Sequence, residues 1–176
     1  MGIRTKKIKF EYWGWILPIC VFLLQQPDIP SFFRGTGLIV FGYFVALEDL
    51  KTMTIKNEVL IKMLVCWCFV LAIQISFSPE DGLFLLFQGI LGFLIAGGVF
   101  MSVYIMSRKG LGGGDVKFMA VAGLFLGASN VFTAMIIGTT LSALFCTILI
   151  IAKKITVKTT LPLAPFLYLG ILITIL

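Results

Sequence analysis

The sequence predicts an all-α, polytopic membrane fold, with a six-span helical core preceded by one further N-terminal span. Three observations carry this. First, 60% of the 176 residues are hydrophobic and only 12% are charged, more apolar surface than a water-soluble domain of that length can bury. Second, several apolar runs approach the ~20 residues needed to cross a bilayer core. Third, the cationic residues fall between those runs and on alternate connections, the pattern of a chain threaded through a membrane. No connection is long enough to fold alone, so the chain divides into residues 1–31, a basic N-terminus with the extra span, and residues 32–176, the six-span domain.

The elements follow in order. Arg4, Lys6, Lys7 and Lys9 precede an apolar run from Tyr12 to Leu24, interrupted by Pro18. A basic stretch followed by an apolar one resembles a secretory signal. The following Gln25-Gln-Pro-Asp28-Ile-Pro30 has no small-x-small cleavage site, which favours an uncleaved first span. Residues 31–47 form the second span, and Glu48 to Glu58 form a polar loop in which Asn57 is the expected N-cap of a third span over 58–77. Ser78-Pro79-Glu80-Asp81-Gly82 is a turn. The fourth span, 83–106, carries Gly89, Gly92, Gly97 and Gly98, which predicts close helix contact. From Val116 to Ala152 run 37 residues, about 55 Å as one helix and too long for one crossing. Gly127-Ala-Ser129-Asn130 is therefore expected to divide them into a short fifth span and a longer sixth. Lys153, Lys154 and Lys158 mark a loop, and 161–176 form the last span, introduced by Pro162 and Pro165.

With the N-terminus inside, all of the 14 Lys and Arg except Arg34 fall on inner segments or inner span ends, whereas Asp28, Glu80 and Asp81 fall outside. The net charge of +6 thus reads as membrane orientation and not as a nucleic-acid surface. It predicts a multi-pass protein of the cell membrane with a cytoplasmic N-terminus. The four cysteines lie inside apolar runs, Cys66-Trp-Cys68 is not a CxxC pair and histidine is absent. No zinc ligand set assembles from them, and neither a metal nor another cofactor is expected.

One stretch breaks the apolar second half: Gly110-Leu-Gly112-Gly113-Gly114-Asp115-Val-Lys117. A carboxylate beside three glycines at a membrane edge is costly unless used. The topology puts Asp49 on the same, cytoplasmic, side. Two carboxylates close together cannot both ionise cheaply, so one keeps a proton while the other serves as a base toward water. That chemistry needs neither metal nor histidine. Gly112, Gly113 and Gly114 are expected to permit positive φ and to let another backbone approach beside Asp115. Against this stand blander readings: an acid at a span edge is usually solvated, and glycines before an aspartate also make an ordinary turn. On the residues alone, enzyme and non-enzyme readings both stand.

In its longer context, Gly112-Gly-Gly114-Asp115-Val-Lys117-Phe resembles the second aspartate motif of the type IV prepilin peptidases, membrane aspartic proteases of the GxGD class. Asp49-Leu-Lys51-Thr-Met-Thr-Ile55-Lys56-Asn57 is similar to their first motif, an aspartate followed some six residues later by Ile-Pro-Asn. Leu161-Pro162-Leu-Ala-Pro165-Phe is similar to the start of their last span. The resemblance implies that Asp49 and Asp115 are the catalytic pair. The implied substrates are prepilins or prepilin-like proteins, whose short basic leader is cut at the cytoplasmic face before a hydrophobic stem. Lys56 departs from the family by standing where proline is usual. Longer members carry an N-terminal methylase segment, often with paired CxxC motifs. These residues carry no such motifs, so the short form, cleaving without N-methylation, is expected.

Around the pair, Glu48, Glu58 and the ionised aspartate are the anionic points that a basic leader would meet, with solvated helix-end decoration the favoured reading of Glu48. Lys117 is expected to snorkel to the headgroups, its alternative being to tune Asp115. Two rivals remain. A GxGD protease of the presenilin type is opposed by Glu48 ahead of Asp49 and by the order Leu163-Ala164-Pro165. A non-enzymatic importer subunit would grip a small molecule with intramembrane polar groups, of which Gln74 and Gln88 are the main examples.

Overall fold

The computed structural model describes residues 18, 22, 29–107, 110–154, 159 and 161–176. The expected first span, 12–24, lies almost wholly outside them. So do the loop positions 108–109 and 155–158. Five helices account for nearly all the rest: α1 (Ile29–Thr52), α2 (Asn57–Phe77), α3 (Pro79–Met106), α4 (Gly113–Ile151) and α5 (Ala164–Ile175). No strand occurs among the described residues. Three helices, α2, α3 and α4, are long and apolar enough to cross a membrane.

The count differs from the six separate core spans expected. The 39-residue α4 is continuous in its assignment but breaks direction at Gly127, whose φ of 75° and ψ of 175° are non-helical. The break falls where the sequence puts it, but one residue accomplishes it and no loop intervenes. The last helix is also shorter than expected, because Pro162 and Pro165 hold 161–163 out of the helix and α5 begins at Ala164.

Packing is set by missing side chains. The face of α3 meets α4 at Gly92 and Gly123, where a Cβ on either residue would collide with the other's carbonyl. The α4–α5 contact is of the same kind, with Gly170 against the Ala134 carbonyl and Gly138 against Leu167. Of the α3 glycines expected at contacts, Gly89 meets Trp67, Gly92 meets α4 and Gly97 meets Ala120, whereas Gly98 faces open space. The core gathers Leu38, Met63, Phe118, Met119, Val131 and Leu167 between the helices. Trp67 Nε1 donates to the Leu124 carbonyl at 2.8 Å, three residues ahead of the break in α4. Large apolar side chains such as Phe69, Phe84 and Phe87 point outward at 61–66% exposure, as suits a chain whose solvent is lipid.

Candidate active site

Among the described residues, two polar or charged side chains are buried in the bundle: Asp49, 5% exposed, and Asp115, 8% exposed. Both stand at the same end. Asp49 occupies the last turn of α1 and Asp115 the first turn of α4. The α1–α2 connection holds these two helix ends together. Ile55 lies on Gly114, where an added Cβ would sit 3.0 Å from the Ile55 Cβ. One residue past that connection, Asn57 Oδ1 accepts from Lys117 Nζ at 3.1 Å. The connection is tied back to α1 by Glu48, whose carboxylate pairs with Lys56 Nζ at 2.9 Å and accepts the Lys56 amide at 3.3 Å.

The two carboxylates have different surroundings. Asp49 Oδ2 accepts the Ala164 amide at 3.0 Å. The first N–H groups of a helix have no intrahelical acceptor, and at the start of α5 these include the amides of Leu163 and Ala164. Asp49 lies past the apolar stretch 31–47. Burial pushes its carboxyl above the ordinary range, and the Ala164 and Leu163 amides pull the other way. Asp115 has no such support: its Oδ1 is buried without a hydrogen-bond partner among the described residues. Asp115 is near enough to Asp49 to feel its charge.

The glycines before Asp115 work otherwise than expected. Gly112 has φ −69° and ψ 133°, an extended backbone open to any residue, and Gly127 is the positive-φ glycine among the described residues. What Gly112 supplies is the absence of a Cβ, which would lie 2.7 Å from Asp115 Oδ2. Gly114 leaves room for Ile55. Gly113 is unconstrained, since its added Cβ would find its nearest neighbour, Tyr104, at 4.0 Å.

Two further expectations are corrected. Asn57 does not cap α2: Lys56 holds the cap position, with no side-chain cap bond. The Asn57 carbonyl turns to Lys117 instead. Lys117 thus bonds across the loop. Glu48 is neither loose decoration nor a free anionic docking point, because Lys56 occupies it. That also accounts for Lys56 in place of proline, since a proline could make neither of these two contacts. The Leu163 and Ala164 amides and Ile55 escaped the sequence reading, although the Pro-x-x-Pro spacing at the start of α5 was the available signal for the amides. Among the described residues no group of His, Cys, Asp or Glu could hold a metal ion.

Fold and site together define a helical bundle, rich in membrane-crossing helices, whose polar centre is a coupled carboxylate pair built at helix ends. Comparison with known proteins makes the class specific. The sequence model of the type IV leader peptidase family matches residues 36–152, and the chain belongs to that family. It is 32% identical over 127 residues, 72% of its length, to the prepilin leader peptidase/N-methyltransferase of Bacillus subtilis strain 168. The match covers 48% of that relative, so the chain spans about half the length of the curated protein it resembles. No solved structure matches the chain.

Proposed function

We propose that this chain is a membrane aspartic endopeptidase that removes the short basic leader from prepilins or prepilin-like proteins at the cytoplasmic membrane face. The observation that carries the reading is the coupled pair of buried carboxylates from α1 and α4, within the residues matched by the leader peptidase family. Asp49, steadied by the Ala164 amide, is the carboxylate that takes a proton from water as the water attacks the scissile carbonyl. Asp115 keeps its proton. The start of α4 favours a negative charge there by only ~0.3–1 kcal/mol, whereas a buried acceptor without a partner costs ~1–3 kcal/mol and more when charged. Protonated Asp115 donates to the developing oxyanion, and the proton taken by Asp49 is delivered to the leaving amine.

The neighbouring surface supports a substrate with an apolar stem. A groove of about 520 Å³ between α2, α3 and α4 begins beside Asn57 and Lys117 and continues over Leu64, Phe93 and Ala120. The relative's name couples leader cleavage to N-methylation. Cleavage is the half that the aspartate site accounts for. The test is co-expression of a candidate prepilin with wild type, Asp49→Asn or Asp115→Asn, read as a gel shift and by N-terminal sequencing of the product. Both variants should reach normal membrane levels and leave the prepilin unprocessed. Processing that survives either substitution sinks the aspartate pair.

A further inference from the structure

At the far end of the bundle lies a second polar feature, unconnected with the aspartates. Arg34 and Asp49 are both on α1, 15 positions apart, or about 22 Å at 1.5 Å per residue. A cavity of about 290 Å³ opens there between α1, α2, α3 and the break in α4. It is lined by Arg34, Gln74, Asp81, Gln88, Ser129 and Asn130. None of these six side chains makes a hydrogen bond or ion pair with another described residue. Arg34 is half-buried, and no carboxylate among the described residues pairs with it although Asp81 lines the same cavity. A half-buried guanidinium without a partner among the described residues leaves its fixed fork of N–H donors unmet. A guanidinium, two primary amides, an Asn side chain and a hydroxyl around a void are the complement of an anion with several acceptor oxygens. Asp81 is the complement of a cation.

We propose that this cavity binds the headgroup of an ethanolamine phospholipid, with the phosphate on Arg34 and the ammonium on Asp81. The guanidinium presents paired N–H groups to two phosphate oxygens, the geometry that arginine offers and lysine does not. Gln88 and Asn130 donate to the remaining oxygens. The exposed Asp81 carboxylate accepts from the ammonium, which a choline headgroup cannot supply and a glycerol headgroup lacks. The volume lies just below the ~300–1,000 Å³ of small-molecule sites, enough for a headgroup but not for acyl chains. Those chains would leave past Phe84, which lines the cavity and is 65% exposed. Gly127 makes the room: its positive φ turns α4 so that Ser129 and Asn130 face the void. The site is independent of leader cleavage, and its failure would leave that reading untouched.

The test is native mass spectrometry of the full chain exchanged into mixed micelles with equal phosphatidylethanolamine, phosphatidylglycerol and phosphatidylcholine. Wild type should retain one phosphatidylethanolamine. Arg34→Gln should lower retention at least tenfold, and Asp81→Asn should abolish the preference over phosphatidylglycerol. Equal retention of the three lipids by wild type overturns the proposal, as does undiminished retention by Arg34→Gln. A parallel arm adds inorganic phosphate: displacement of the lipid by millimolar phosphate assigns the site to a free anion and also overturns it. If Arg34→Gln loses its monodisperse elution, Gln88→Ala and Asn130→Ala take its place. Each should lower retention about threefold, and no change in either contradicts the proposal.

Discussion

The starts of α4 and α5 meet the aspartate pair by opposite means. At α4 the approach is made with glycine. Gly112 omits a side chain so that the Asp115 carboxylate can fold back over its own helix start, and Gly114 omits one so that Ile55 can close the loop onto it. At α5 the approach is made with proline. Pro162 and Pro165 contribute no amide, and the Ala164 N–H between them goes to Asp49. One helix start delivers an acid and the other a donor. The difference leaves one carboxylate with a backbone partner and the other with an oxygen that has none. An asymmetric acid pair needs that inequality. Here it comes from backbone.

Substitutions at the two helix starts probe the contrast directly. The largest effect is expected from Gly112→Ala. Its new Cβ would stand 2.7 Å from Asp115 Oδ2, so the carboxylate must move, and a displacement near 1 Å at a reacting group costs on the order of 10²-fold in rate. Initial rates of leader cleavage on a purified prepilin measure it, with membrane levels unchanged. Gly114→Ala should come next. The new Cβ meets Ile55 at 3.0 Å, which pushes the loop and leaves the acid in place, so a loss of roughly threefold to tenfold is expected, by the same positional logic at smaller displacement. Combining it with Ile55→Ala should restore part of that loss, and a further loss in the double variant would break the assignment of Ile55 as the closing contact. The smallest effect is expected from Pro165→Ala, which keeps the Ala164 amide. Cleavage should stay within about twofold, while thermal stability falls by the ~0.4–1 kcal/mol that proline contributes through the unfolded chain.

The contrast also marks how far the sequence could be read. Helical class and apolar faces were legible because composition and run length alone decide them, and the break in α4 was legible from Gly127. That Asp49 and Asp115 stand at the same end followed from counting sides along the chain. What escaped depends on which partner a group finds in three dimensions. Asn57 has the composition of a cap, but Lys117, 60 positions away, claims its carbonyl. The glycines suggested unusual φ, but Gly112 is needed for the space that its neighbour's carboxylate occupies. The amide on Asp49 comes from 115 positions away. Backbone donors leave no trace in residue type except at proline, which has none. The form of that break was not legible: a single glycine turns α4 without a loop, which spacing does not distinguish from two spans joined by one.

The most direct test of the carboxylate pair is a comparison of initial cleavage rates for purified wild type, Asp49→Asn, Asp115→Asn and the double variant on one prepilin substrate. Residues that act as one unit are non-additive. The account predicts that each single substitution lowers the rate by about 10³-fold or more and that the double variant is no slower than either. Additive losses, or a single variant retaining a tenth of the wild-type rate, would contradict it.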